Sequence, residues 1–201
     1  MTKHIYICGD SFCVSDPEYG TCWVDYLSQQ RTVTNLAKVS ATNLMISMQV
    51  DQAIAERADF IIVQGTACTR NQTRYQNQIV PYSYHTVNQE STPFNRRQLS
   101  ILKQYYTEFF DLDLAVYENK CIIESTLYRL VRSGILFLFD QGGFEHPSFG
   151  STTMYFEQFS QYRSKINLWD YTTTRDYRPY YHIVDSAVHR QVADYYLEIT
   201  Q

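Results

Sequence analysis

The sequence predicts an α/β fold in which helices cover a mostly parallel sheet. Residues 4–8, 60–64 and 135–139 are short and mostly apolar, which is typical of strands buried on both faces of a parallel sheet. Stretches with helical periodicity alternate with these runs, and this alternation is typical of strands joined by crossover helices. The chain has 201 residues, so we expect one domain over residues 1–201 with a sizeable core.

The first half of the chain predicts further strands and helices between the apolar runs. Gly9 bounds the first strand, HIYIC. A helix is expected at about residues 22–29, and TVTNLA at residues 32–37 predicts a second strand. Asn43 is a candidate cap for the next helix. One face of that helix carries Ile46, Val50, Ala53 and Ile54.

The second half begins with a change in composition. Nine of the 28 residues from Asn71 to Gln98 are Asn or Gln, and apolar periodicity is lost there. We predict a long loop or polar insertion at about 71–98, a kind of segment that often forms a binding surface. Gly134 is expected to end a later helix, and SKINLWDY predicts a last short strand. The helix that follows the insertion carries on one face Leu99, Leu102, Tyr106, Phe109 and Phe110.

Composition and charge exclude several classes of protein. The hydrophobic fraction of 44% and charged fraction of 19% are typical of a globular chain. The net charge is −4 and Lys and Arg are scattered, so there is no basic footprint for nucleic acid. Neither a signal peptide nor a membrane span is recognised, and the five cysteines form no CxxC pair. We expect a cytoplasmic chain with reduced thiols, no metal site, no cofactor, and neither nucleic acid nor membrane as partner.

The segment GDSF, which follows the first strand, is the first candidate for chemistry. In parallel sheets, ligands bind at the carboxyl ends of the strands, where Asp10 and Ser11 lie in this prediction. A serine at a strand-to-helix turn is a nucleophile when a base, usually His, takes its proton. Turn geometry alone also explains an Asp and a Ser at such a place, so GDSF needs support from elsewhere in the chain.

Three further segments supply that support. They are NLAKVSATN at residues 35–43, DFIIVQGTACTR at residues 59–70 and YHIVDSAVHRQVADYY at residues 181–196. Together with GDSF, and in this order and spacing, they resemble the SGNH (GDSL-type) hydrolases. The resemblance implies a three-layer α/β/α sandwich of flavodoxin-like type. It also implies that Ser11 is the nucleophile and that its backbone N–H forms part of an oxyanion hole.

Two of these segments depart from the family pattern in the oxyanion hole. Ser40 stands where the family usually has a Gly that donates a backbone N–H, which a Ser also has. This change is tolerable if the backbone there does not require Gly. The family usually has an Asn donor after the third strand, and this sequence has Thr66 or Ala67 instead. The resemblance therefore implies Ser11, Ser40 and Thr66 as oxyanion donors, since Thr can donate one hydrogen bond and the Ala side chain none.

The last segment departs from the pattern at the acid. His182 matches the catalytic base, but Pro179 stands three residues upstream, where the family usually has Asp. Asp176 is the nearest upstream acid and becomes the candidate for orienting the base. His189 with Asp185 is the competing pair, and Asp185 is also a candidate helix N-cap. His85 and His146 are interpreted as loop residues without a site role.

These residues leave more than one hypothesis open. The first is an esterase acting on O-acetylated sugars or short-chain esters. The second is a catalytically degenerate domain that binds a glycan or serves as a subunit of a homo-oligomer or larger assembly such as a phage particle. The missing Asn, the missing Asp and the 18 tyrosines motivate it. A flavin or nucleotide binder ranks below both, because GDSF has one glycine and no phosphate-binding loop.

Overall fold

A computed structural model describes residues 3–15, 20–83, 87, 93–140, 157–171, 183 and 185–200. The strands among these residues are β1 (His4–Cys8), β2 (Thr32–Asn35), β3 (Phe60–Gln64), β4 (Asn71–Tyr75), β5 (Gln78–Tyr82) and β6 (Leu136–Asp140). The α-helices are α1 (Trp23–Ser28), α2 (Asn43–Ala55), α3 (Arg96–Gln104), α4 (Leu112–Ser133) and α5 (Ser186–Ile199). No helix in these ranges is both long and apolar enough to cross a membrane.

The main sheet has the strand order β2-β1-β3-β6, and every neighbouring pair is parallel. β1 lies centrally, with Ile5 beside Val33 of β2 and beside Phe60 of β3. The apolar runs therefore form the sheet that their composition predicts. β2, the edge strand TVTN, is partly exposed, whereas all five residues of β3 are buried.

Helices cover both faces of this sheet, which gives three α/β/α layers. One layer packs on side chains that include Tyr6, Ile61 and Phe137, and its helices α2 and α4 contact each other. The other layer is formed by α1 and α5, which pack on the opposite face around Ile7 and Ile62. The predicted fold class is confirmed.

The polar insertion has more structure than the predicted loop. β4 and β5 pair in antiparallel register as a separate hairpin, with Gln76 and Asn77 at its turn. Both turn residues have positive φ, 47° and 62°, as the favoured two-residue hairpin turns require. Such turns usually contain Gly, and because Gly is absent here the hairpin could not be recognised from the sequence.

An aromatic cluster holds this hairpin against the segment that follows it. The cluster consists of Tyr75, Tyr82, Phe94, Tyr105, Tyr106 and Phe110. The single hydrogen of the Tyr106 hydroxyl is within reach of the carbonyls of Thr69 and Tyr82, at 3.2 and 3.3 Å, and the oxygen accepts from the Asn71 side chain. Burial raises the pKa of Tyr106. The apolar face predicted for this helix is therefore only partly used, since α3 buries no residue and Phe109 is 70% exposed.

Two other local predictions need correction. Thr42, not Asn43, caps α2, because its hydroxyl accepts from the Met45 N–H. SKINLWDY forms no strand, and in the described part of that region the sheet gains only an isolated parallel bridge between Arg163 and Phe139. Gly134 ends α4 in the left-handed conformation, as expected.

Candidate functional site

The candidate site lies where the chain reverses its direction across the sheet. From β1 the chain first builds β2 on one side, and it later builds β3 on the other side. Loops that leave two adjacent strands in opposite directions open a crevice at the carboxyl ends of those strands. Gly9, Asp10 and Ser11 follow β1, and Gly65 and Thr66 follow β3. The sheet topology thus brings the first and third sequence motifs together.

Ser11 begins a single 3₁₀ turn, Ser11–Cys13, directly after the central strand. Asp10 caps this turn, because its Oδ1 accepts from the Phe12 N–H at 3.0 Å. Ser11 is 8% exposed. Among the described residues, nothing hydrogen-bonds to its hydroxyl or accepts from its backbone N–H. The turn therefore presents both groups without an internal partner.

The second oxygen of Asp10 links the two strand ends. Its Oδ2 accepts from the Thr66 hydroxyl at 2.6 Å and from Arg70 Nη1 at 2.5 Å. Asp10 is 1% exposed, and a buried carboxylate needs such compensation by a cation and hydrogen bonds. The network fixes the loop after β3 against the residue that precedes Ser11.

This network occupies the donors of Thr66. Its hydroxyl hydrogen goes to Asp10, and its backbone N–H donates to Asn43 Oδ1 at 3.0 Å. Asn43 in turn donates to the Thr66 carbonyl and to Asn119. Thr66, expected as an oxyanion donor, therefore has no hydrogen left for an oxyanion in this arrangement.

Gly9 sits where the backbone and two side chains approach closely. The Gln49 side-chain amide accepts from the Gly9 N–H at 2.7 Å and donates to its carbonyl at 3.2 Å. A Cβ at position 9 would lie 2.7 Å from Cys13 Sγ and 3.2 Å from Gln64 Cβ. The absence of a side chain at Gly9 thus allows the turn that carries Ser11 to fold back against the end of β3.

Replacing Gly9 by Ala is expected to destabilise the protein by about 1–3 kcal/mol, because the new methyl overpacks against Cys13. The turn that holds Ser11 must then move. Urea unfolding measures the change. The double variant Gly9→Ala/Cys13→Ala is the matched control, since it removes the closest atom, and it should destabilise less than the two single substitutions added together. If the destabilisation of the double variant equals the sum of the two single ones, the close contact between residue 9 and Cys13 is contradicted.

The Cys13 thiol, two residues after Ser11, is not a competing nucleophile. Burial, with the nearby Asp10 carboxylate, raises its pKa well above the ordinary thiol value. The thiol donates to Gln64 Oε1 at 3.4 Å. Since the thiolate is the reactive form, burial and the raised pKa argue against a nucleophilic role for Cys13.

Ser40 lies in the loop after β2. The Lys38 N–H in that loop donates to the Gly9 carbonyl at 3.2 Å, which ties the two loops together. The backbone N–H of Ser40 donates to no acceptor in the described part of the chain. Its φ is 61°, in the left-handed region that favours Gly. A Ser at this position therefore requires a strained backbone. The expectation that Gly is not needed here holds only with that strain.

Replacing Ser40 by Gly is therefore expected to stabilise the protein by about 1 kcal/mol, because Gly adopts positive φ without the steric cost of a Cβ. Thermal unfolding should show a higher midpoint. Ser40→Ala keeps the Cβ and is the control, for which no gain is expected. A fall in the midpoint of Ser40→Gly would show that the serine side chain itself stabilises this loop.

His189 and Asp185, the competing base and acid, have structural roles. His189 Nδ1 accepts from the Trp23 N–H at 3.1 Å, and its Nε2 lies 2.9 Å from the Ile183 carbonyl. This pattern requires a neutral ring with the hydrogen on Nε2. Asp185 caps α5 by accepting from the Ala187 N–H. The His189–Asp185 side-chain pair is not formed, and the N-cap interpretation of Asp185 is confirmed.

His182 and Asp176, the expected base and orienting acid, lie outside the described residues, as do His85 and His146. Of the expected site residues, the structure thus describes Ser11, Ser40 and Thr66. These three lie on loops tied together at the ends of β1, β2 and β3.

Sequence reasoning assigned no role to two buried contacts of the site, those of Arg70 and Gln49. Gln49 lies in the middle of α2, and a polar residue on the face that carries Ile46, Val50 and Ala53 was the available signal. Arg70 ends the QGTACTR segment, and a lone cation that closely follows a buried strand was its signal. Neither signal shows that Gln49 bonds to Gly9 or that Arg70 bonds to Asp10, because these contacts depend on the folded structure.

The comparisons with known proteins bear on the fold. No family model matches the sequence, and no curated protein matches it. The structure is similar to a crystal structure of the psychrotrophic esterase EstA from Pseudoalteromonas sp., inhibited by monoethylphosphonate. The TM-score is 0.54 with 10% sequence identity, over 98% of this chain and 95% of that chain. This chain therefore shares the α/β fold of an esterase, at low sequence identity.

Proposed function

We propose that this chain is a serine ester hydrolase of SGNH type that acts on O-acyl esters. One observation carries the proposal. At the carboxyl ends of β1 and β2, the Ser11 hydroxyl and the backbone N–H groups of Ser11 and Ser40 have no partner among the described residues. A nucleophile and two hydrogen-bond donors on adjoining loops are what acyl transfer requires. The likeness of the fold to an esterase supports the same reaction class.

In this proposal Ser11 Oγ attacks the ester carbonyl carbon. His182 takes the serine proton as general base and then gives it to the leaving alcohol, and Asp176 orients His182. The carbonyl oxygen becomes an oxyanion that accepts from the N–H groups of Ser11 and Ser40. Water then attacks the acyl-enzyme by the same route, which releases the acid and restores Ser11.

The proposed substrates carry small acyl groups, such as acetyl esters of carbohydrates or other short-chain esters. Ser11 is 8% exposed, so little of its surface is open to a substrate. The hairpin β4–β5 follows the loop of Arg70 directly, and the Asn71 side chain bonds to Tyr106. This polar and aromatic region is suited to the alcohol part of such an ester, because sugars combine hydroxyl groups with faces that stack on aromatic rings.

The test compares wild type with Ser11→Ala on p-nitrophenyl esters of two, four and eight carbons. We expect turnover on the acetyl ester that falls with chain length and is lost in Ser11→Ala. Ser28→Ala is the matched control, because its hydroxyl donates only to the Asp25 carbonyl, outside the site. Turnover retained in a clean Ser11→Ala preparation would overturn the assignment.

The second candidate is a degenerate domain that binds a glycan or joins a larger assembly, such as a phage particle. The occupied donors of Thr66 favour it, because they remove the side-chain donor expected after β3. A well-folded wild type without turnover on any ester, which binds immobilised glycans or forms a defined multimer, would select this candidate over the first.

A further inference from the structure

We infer that Arg70 supplies the third oxyanion donor of the site, in place of the asparagine that the sequence lacks. The inference rests on the proposed ester hydrolysis and adds a residue to its machinery. It gives Arg70 a catalytic role, in contact with the reacting carbonyl oxygen, beyond the ion pair that it forms at rest.

The position of Arg70 is the first argument. A turn in the loop after β3, closed by the Arg70 N–H on the Ala67 carbonyl, directs the side chain back to the strand ends. Its Nη1 lies 2.5 Å from Asp10 Oδ2 and 3.4 Å from the Ala41 carbonyl. Asp10 precedes Ser11, and Ala41 follows Ser40. The guanidinium therefore bridges the two loops whose free N–H groups would hold the oxyanion.

The hydrogens of Arg70 are the second argument. A guanidinium has five N–H donors, and its two contacts here both use Nη1. Nε and Nη2 have no acceptor among the residues that the structure describes. The side chain is 24% exposed, so it is reached from solvent while most of it is enclosed. Thr66, the other donor expected from this loop, has both hydrogens engaged.

The charge balance is the third argument. At rest, Asp10 neutralises Arg70, so a neutral ester enters a site whose local charge is balanced. When Ser11 Oγ bonds to the carbonyl carbon, the serine proton passes to the base and the carbonyl oxygen gains the negative charge. Arg70 keeps all its protons throughout. Its attraction to that oxygen is stronger in the transition state than in the ground state, and such interactions raise kcat.

The experiment separates this role from a merely structural one by a double-mutant cycle. Arg70→Met removes the cation but leaves Asp10 buried without its charge partner, which alone destabilises the fold. The double variant Asp10→Asn/Arg70→Met also removes the carboxylate. The introduced amide still offers an oxygen to the Phe12 N–H and hydrogens to the Thr66 hydroxyl. Wild type, both single variants and the double variant are compared by thermal midpoint, kcat and KM on p-nitrophenyl acetate.

We expect Arg70→Met to lower kcat by about 10²–10³-fold with KM changed only a few-fold, as for the loss of one oxyanion donor. In the double variant the thermal midpoint should recover while kcat stays low. Arg70→Lys, which keeps a cation but not the planar fork, should fall between wild type and Arg70→Met. A double variant that recovers kcat together with stability, or an Arg70→Met that keeps wild-type kcat, would overturn the inference. A wild type without turnover would instead overturn the proposed function on which it rests.

Discussion

Replacing His182 by Ala is expected to lower ester turnover by about 10³-fold or more, because the serine hydroxyl would lose its proposed general base. His189→Ala should act differently. It removes the acceptor of the Trp23 N–H from a buried position and leaves a cavity, so it should destabilise the fold by about 2–4 kcal/mol. Steady-state kinetics and urea unfolding of the two variants measure the two effects.

The contrast between the two histidines decides which one is the base. Turnover that survives in His182→Ala but disappears in a folded His189→Gln would reverse the assignment. The structure argues against that outcome because both nitrogens of His189 are engaged, by Trp23 and by Ile183. A ring held in this way cannot accept the proton of Ser11 without breaking a buried hydrogen bond.

Replacing Trp23 by Ala is expected to destabilise the protein by about 3–5 kcal/mol, a large share of the stability of an ordinary domain. Trp23 is completely buried, and its ring lies 4.8 Å from that of Tyr196 on α5. Its indole N–H donates to the Phe12 carbonyl at 2.9 Å. The substitution therefore loosens both the α1–α5 layer and the turn that carries Ser11.

Trp23→Phe is the control for that prediction. It keeps an aromatic ring against Tyr196 and loses the bond to Phe12, so it should cost less than Trp23→Ala. Urea unfolding measures both variants. A loss below about 1 kcal/mol for Trp23→Ala would be inconsistent with a close-packed layer at this position.

The main sheet could be predicted from sequence because most residues of β1, β3 and β6 are buried. The runs at β1, β3 and β6 are apolar without alternation. Burial of a strand on both faces can therefore be recognised from its amino-acid composition. The hairpin β4–β5 could not be predicted, since β4 is mostly polar, β5 contains a proline and the turn lacks Gly. Pairing between two short, partly exposed strands leaves little trace in a single sequence.

The location of the site could be predicted, but its hydrogen bonds could not. Ser11 and Thr66 were expected at the ends of strands, and both lie there. The sequence offers no sign that Asp10 takes the Thr66 hydroxyl or that Arg70 turns back from the end of its loop. These choices depend on the distance between loops, which is fixed only when the sheet has formed.

The central claim is that Ser11 is an activated nucleophile, and covalent labelling tests it most directly. Purified wild type is incubated with a fluorophosphonate probe, digested, and the modified peptide is sequenced by mass spectrometry. The account predicts a single adduct on Ser11, which is absent in Ser11→Ala and strongly slowed in His182→Ala. A well-folded wild type that remains unlabelled, or that carries the adduct on another residue, would contradict it.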